Sequence, residues 1–267
     1  MIEETSNKSK FYSFVEANQA SYAICDQTKC STCKGTGKLR SQEAIDFYSV
    51  KKCHCQNFRN RLSLLTKAEI PGRFHNCDFE NYHPKHDSQE LAKTKSISLS
   101  DNILSAKKGL IFIGNPGLGK THLAISLLKS CVLNHDISGI FLDFSNLLSS
   151  IRDGFSKNRS EKDIFDKILN YRLIVIDELG KGRQDTNWEW GRSVLDDLIS
   201  QIYNAGNIIP IFTTNYLLDR EKEDFFLGPR IGLRSFSRIQ EMCDLVSLNG
   251  LDDRQKNIPN RSKYMMV

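Results

Sequence analysis

The octapeptide Gly114-Asn115-Pro116-Gly117-Leu118-Gly119-Lys120-Thr121 fits the pattern G-x-x-x-x-G-K-[ST] in full. Glycines at this spacing let successive backbone amides wrap a phosphate. The N-terminus of a following helix then points its free N–H groups at the same anion. Lys120 is expected to reach the β- and γ-phosphates of ATP, and the Thr121 hydroxyl to ligate Mg²⁺. Further along, Leu173-Ile174-Val175-Ile176 is an apolar run that ends in Asp177-Glu178. Such a run predicts a buried strand with the two carboxylates at its C-terminal end. Asp177 is expected to hold Mg²⁺ through water, and Glu178 to polarise the attacking water as general base. Asn215 follows Thr213-Thr214 at the end of the next apolar run. There it is either a sensor of the γ-phosphate or an ordinary turn residue. Phosphoryl transfer also draws on arginines supplied across a subunit boundary. Arg230, Arg234, Arg238 and Arg254 are the candidates.

A second chemistry is written in the cysteines. Five of the eight (Cys25, Cys30, Cys33, Cys53, Cys55) fall in the first 55 residues. Cys30-x₂-Cys33, nineteen intervening residues and Cys53-x-Cys55 make two thiolate pairs. Brought together, these form a tetrahedral S₄ site suited to zinc. Gly35 and Gly37 supply the tight turn after the first pair. The C-x-C half departs from C-x₂-C, which leaves Cys25 or His54 as alternative ligands, and free thiols or a redox pair as alternatives to a metal. A module this small depends on its metal to fold. Cys77, Cys131 and Cys243 sit among apolar neighbours and read as buried small hydrophobes.

These groups need elements to position them. From Lys108 onward strands and helices alternate. Strands are expected at Gly109–Ile113, Gly139–Phe144, Leu173–Ile176, Ile208–Phe212 and Asp244–Leu248. Helices are expected at His122–Asn134, within the polar stretch Ser145–Asn170, and at Trp188–Asn204. Alternation of this kind predicts an α/β fold, a parallel sheet covered on both faces. Ligands bind at the C-terminal ends of such strands. Upstream, Asn57–Ala68 has apolar residues at helical spacing, and Ile70-Pro71-Gly72 breaks that helix. A further helix is expected at about Ser88–Ala106. Phe11, Tyr12, Phe14 and Val15 are placed to cap a short helix. The expected organisation is an N-terminal zinc- and partner-binding domain (1–69), a linker and approach (70–108) and an ATPase domain (109–267).

At 39% hydrophobic and 26% charged residues, the composition is that of a soluble globular protein. No apolar run approaches the roughly 18 residues of a membrane span. The N-terminus lacks the apolar core of a signal peptide, so a cytoplasmic location and no membrane partner are expected. Between Cys25 and Arg61 eight Lys/Arg face three acidic residues, which accounts for the whole net charge of +5. That local excess suits phosphate backbones or an acidic protein surface, or is a solvated face. Only 29 residues follow Arg238, too few for an independent helical lid, so a neighbouring subunit is expected to close the site.

The ordered set IPGRFHNCDFENY (Ile70 to Tyr82), GNPGLGKTHLA, LIVIDELG, FTTN, SRIQEMCDLV and a trailing DDR resembles the DnaC/DnaI-type helicase-loader branch of the AAA+ ATPases. The IstB-type transposition helper ATPases are close relatives of that branch. The resemblance covers roughly residues 70 to 256. It implies an AAA+ P-loop core without a C-terminal lid, ATP-dependent self-assembly into an oligomer, and single-stranded DNA bound along its interior. It also implies an N-terminal domain that engages a hexameric replicative DNA helicase. By motif, Arg238 in Ser-Arg-Ile matches the arginine finger and Arg254 in Asp-Asp-Arg the second sensor arginine. Arg152, Lys157, Arg159, Lys181 and Arg183 are candidates for DNA contacts. The function so implied is an ATP-dependent helicase loader with slow, DNA-stimulated hydrolysis. The alternative is a transposition helper acting with a transposase on duplex DNA.

Overall fold

The computed structural model describes residues 11–24, 38–44, 47–52, 54–156, 160–181, 186–217 and 226–250. Among the described residues two antiparallel hairpins come first: β1 (Phe11–Glu16) with β2 (Gln19–Ile24), and β3 (Lys38–Ala44) with β4 (Phe47–Lys52). The first corrects the short helix expected around Phe11–Val15. Ala17 and Asn18 both adopt left-handed backbone, at φ 48° and 65°. Two consecutive residues of that kind form the tight turn whose twist suits a two-residue hairpin. Then come α1 (His54–Thr66), a 3₁₀ turn at Gly72–Phe74 and α2 (Asp87–Asp101).

The α/β core follows: β5 (Gly109–Ile113), α3 (Lys120–His135), β6 (Gly139–Asp143), α4 (Phe144–Ser156), α5 (Glu161–Leu169) and β7 (Leu173–Asp177). It continues with α6 (Thr186–Ala205), β8 (Ile209–Thr214), α7 (Leu227–Ile231), α8 (Leu233–Met242) and β9 (Cys243–Ser247). Local signals set several boundaries. Ser160 and Asp163 form a reciprocal capping box at the start of α5. Asp136, left-handed at φ 58°, closes α3.

The five core strands form one parallel sheet in the order β6-β7-β8-β5-β9. β5, β7 and β8 are buried along their whole length. This is why they read as unbroken apolar runs. Successive side chains leave opposite faces. Leu110 and Phe112 therefore join α3 in one core, while Ile111 and Ile113 join α6 and α8 in the other. After β5 the chain crosses to β6 on one side, while β9 lies on the other. The crevice at this switch point is where such sheets take ligands.

The packing does not follow the division expected at Ile70. Ala20, Tyr22, Leu62, Leu65 and Ile70 belong to the same core cluster as α3. Arg61 Nη1 donates to Leu133 O at the end of α3 (2.8 Å). Ala20 N donates to Ile70 O (2.7 Å), and Phe141 N in the edge strand β6 to Ala68 O (2.8 Å). The first hairpin and α1 are thus part of the layer that covers α3. Among the described residues no helix is long and apolar enough to cross a membrane.

Candidate functional site

Three strand ends meet at the switch point. β5 runs into Gly114, β7 delivers Asp177 and Glu178, and β8 delivers Thr213, Thr214 and Asn215. The loop between β5 and α3 depends on its glycines. Gly117 and Gly119 hold φ near +82° and +84°, which L side chains rarely adopt. A Cβ on Gly114 would lie 2.2 Å from Leu248 O, and one on Gly119 2.5 Å from the Tyr82 ring. The Lys120 side chain is buried and its Nζ donates to Gly114 O (2.6 Å) and Asn115 O (2.7 Å). The ammonium therefore lies inside the loop. Tyr82 OH and Gln89 Nε2 both donate to Leu118 O from behind (3.2 and 3.3 Å), which fixes that peptide. The sequence assigned neither residue a role, because nothing local marks a tyrosine and a glutamine in a polar stretch as loop supports.

Asp177 is the centre of the site. It is almost fully buried, and one oxygen, Oδ1, accepts from Thr121 Oγ1 (2.8 Å) and Thr213 Oγ1 (2.6 Å). Burial pushes its carboxyl above the usual range. The two hydroxyls oppose that shift, and the nearby Glu178 and Asp143 charges add to it. Thr213 Oγ1 also accepts from Glu178 N (3.0 Å). One threonine hydroxyl thus ties the carboxylate of Asp177 to the backbone of Glu178. Spacing alone could not have found Thr213; the parallel register of β7 and β8 brings it alongside.

Glu178 adopts left-handed backbone at φ 57°. For a non-glycine residue this is uncommon and needs support from its surroundings. The support is visible: Leu179 N donates to Thr213 O (2.8 Å), Thr214 Oγ1 to Leu179 O (2.9 Å) and Arg230 Nε to Gly180 O (2.7 Å). The Glu178 carboxylate pairs with Lys181 Nζ. Asn215 follows directly at the end of β8 with its side chain exposed.

The arginines separate. Arg230 is buried, its guanidinium 3.8 Å over the Trp188 ring and 5.7 Å from the Tyr216 ring, so it braces the loop after β7. Arg238 lies on α8, donating from Nη1 to Ser200 Oγ of α6 and lying 5.5 Å from the Tyr203 ring. These contacts hold Arg238 against α6. Arg234 is exposed and reaches Asp196 at 3.9 Å. Arg152 stacks near Trp190 at 5.2 Å. Arg254, Lys157, Arg159 and Arg183 lie outside the described residues, as do Cys25, Cys30, Cys33 and Cys53; Cys55 is in the first turn of α1. Among the described residues no cluster of metal-ligating side chains occurs. Cys131 and Cys243 are buried and Cys77 half-buried; burial pushes the Cys77 thiol up to about 11. Two cavities, of 450 and 560 Å³, lie away from the phosphate loop. One is bounded by Arg192, Asp196 and Arg234, the other by β6, α4 and α5.

A family of sequences described as IstB-like ATP binding protein matches residues 7–260. The chain belongs to that family. Among curated relatives, the replicative helicase loader DnaC of Buchnera aphidicola subsp. Baizongia pistaciae is 31% identical over 119 residues, 44% of this chain and 48% of that protein. The chain thus spans about half the length of the first curated relatives it matches. The crystal structure of the DnaC helicase loader superposes with a TM-score of 0.59 at 32% identity, over 66% of this chain and 99% of that one. The crystal structure of DnaI superposes at 0.56 over 67% of this chain and 95% of that one; at 15% identity this speaks for the fold alone. The IstB-like chain therefore carries the AAA+ P-loop core that its strand order describes.

Thr213→Val keeps the shape of the side chain but removes the hydroxyl shared by Asp177 and Glu178. Leaving buried polar partners unsatisfied should lower unfolding stability by about 1–3 kcal/mol, read by chemical denaturation. An unchanged unfolding midpoint would show that the shared hydroxyl is not needed.

Proposed function

We propose that this protein is an ATP-dependent loader for a hexameric replicative helicase, hydrolysing ATP at the β5–α3 loop and acting on single-stranded DNA. The observation that carries the reading is the joining of Thr121, Asp177, Thr213 and Glu178 through one carboxylate oxygen and one hydroxyl at the end of the loop. The 32% identity to the DnaC helicase loader across the core gives that site its context.

In this reading the loop amides and Lys120 bind the β- and γ-phosphates, with Lys120 exchanging its carbonyl partners for phosphate oxygens. A hydroxyl and a carboxylate oxygen are the hard donors that Mg²⁺ takes, so Thr121 and Asp177 fit as its holders, directly or through water. Bound there, Mg²⁺ would neutralise charge on the phosphate oxygens. Glu178 orients the attacking water and accepts its proton, and Asn215 contacts the γ-phosphate or that water. Arg238, on α8 and held against α6, is the finger offered to a neighbouring subunit's site, and Arg254 the second sensor. That assignment makes ATP the glue of an oligomer.

The N-terminal region, residues 1–69 in this reading, recognises the helicase and carries zinc on Cys30, Cys33, Cys53 and Cys55. The β3–β4 register supports this, since it pairs Lys38 with Lys52. The chain therefore enters and leaves the hairpin at one end, with one cysteine pair shortly before it and the other shortly after. Reduced, folded protein should contain about one zinc per chain by metal analysis, as four thiolates bind one ion. Protein free of zinc would remove the metal from the account.

The family's IstB-like description keeps a second reading open, a helper for a transposase on duplex DNA. Affinity purification of the full chain from its host separates the two. The loader reading expects the replicative helicase in an ATP-dependent complex; recovery of a transposase instead would contradict it.

A further inference from the structure

β6 is the outer strand of the sheet, and among the described residues no strand pairs with the side that faces away from β7. Alternate residues of a strand turn their peptide groups to the same side. Ser138 O accepts from Leu173 N of β7 (3.0 Å), whereas Phe141 N donates outward to Ala68 O (2.8 Å). Phe141 and Asp143 therefore turn their peptide groups away from β7. After Ala68 the chain leaves β6 for the first hairpin, where Ala20 N donates to Ile70 O (2.7 Å) and Gly72 N to Asn18 O (2.8 Å). The Phe141 carbonyl and the Asp143 N–H are left on the cavity of 560 Å³ that lies between Glu69–Pro71 and the helices α4 and α5. Its volume is within the range of about 300–1,000 Å³ that ligand sites occupy. Leu147 and Ile168 lie buried in its floor, while Glu69, Ser150 and Asp153 stand exposed at its rim. An apolar floor inside a polar rim is the build of a protein interface.

The charges of the lining say what fits. Glu69, Asp143 and Asp153 stand against Lys167, three carboxylates to one ammonium, an excess of two negative charges. Asp143 keeps one oxygen on Asn146 N at the start of α4 (2.9 Å). Burial holds the Glu69 carboxyl above its usual range, and Lys167 offsets only part of that. A second cation beside Glu69 would favour its charged form. Another copy of this chain would instead bring the same acidic rim to the edge, and charges on an edge strand resist such pairing. We propose that the cleft takes an extended segment of a partner protein, paired with the open edge of β6, with a lysine or arginine beside Glu69 and an adjacent apolar residue on α4 and α5. The pairing gives Phe141 O a donor and the Asp143 N–H an acceptor, as when a peptide adds a strand to a sheet. Successive side chains of such a strand leave on opposite faces. One therefore meets Glu69 in the N-terminal layer, and the next meets Leu147, Ile164 and Ile168. A segment seated in this way touches both the N-terminal layer and the strand whose last residue, Asp143, lies in register with Asp177.

The test pans a random heptapeptide display library on the full chain, with Ser150→Trp as the counter-target, since an indole on that exposed rim position would fill the cleft. Enriched peptides are titrated by fluorescence polarisation against wild type, Ser150→Trp and Glu69→Gln. Hydrogen exchange of residues 139–143 is followed with and without them. Peptides enriched on wild type should carry a lysine or arginine next to an apolar residue and should fail to bind Ser150→Trp. They should bind Glu69→Gln about two- to fivefold more weakly, the scale of one exposed ion pair. They should also slow exchange within residues 139–143. No enrichment over the counter-target overturns the inference, as does an enrichment of peptides without a cation. Binding undiminished in either variant, or exchange at residues 139–143 that the peptides leave unchanged, overturns it as well. If argininamide alone binds as tightly as the peptides, the cleft takes a small cation and the strand pairing is refuted. Should Ser150→Trp fail to fold, Glu69→Gln and the exchange of residues 139–143 decide.

Discussion

A single oxygen of Asp177 accepts hydroxyls from two threonines that belong to different parts of the fold. Thr121 arrives on the first turn of α3, and Thr213 on the neighbouring strand β8. Because Asp177 is buried, its carboxylate would be costly to ionise without such partners. The phosphate loop, the end of β7 and the end of β8 therefore cannot shift independently. Thr213 passes the constraint on by accepting from the N–H of Glu178, which sits in a conformation it would not choose alone. Arg230, its guanidinium over the Trp188 ring, closes the set by donating to Gly180 O, so the loop after the carboxylates is fixed from α6 and α7 as well.

Much of this is legible in the sequence. The apolar runs Gly109–Ile113 and Leu173–Ile176 could only be buried strands, because chains that alternate strand and helix bury both sheet faces. The glycine pattern placed the helix start at the phosphate loop to within two residues, since Gly119 has to be left-handed just before the helix begins. What spacing could not show were supports brought in by register or packing. Thr213 meets Asp177 only because β8 runs parallel to β7, and Tyr82 and Gln89 meet Leu118 only once α2 has docked on α3. Phe11–Val15 forms a hairpin strand and not a helix cap, a difference hidden in the sequence because its turn, Ala17-Asn18, carries none of the glycine that usually marks a tight hairpin.

The same packing joins the two ends of the proposed mechanism. The first hairpin, α1 and the Ile70 segment lie on α3, the helix that starts at Lys120. A partner held by the N-terminal region would thus pull on a layer one helix away from the phosphate loop. On the opposite face, α6 carries both the support of Arg238 and the rings beside Arg230 and Arg152. One helix then links the loop after Glu178 to the surface proposed to meet a neighbouring subunit.

The most direct measurement is ATP-dependent transfer of the host's hexameric helicase onto a closed single-stranded DNA circle, comparing wild type with Lys120→Ala. The account predicts that wild type with ATP leaves the helicase on the circle and that Lys120→Ala does not. A Lys120→Ala protein that loads the helicase as well as wild type would contradict it.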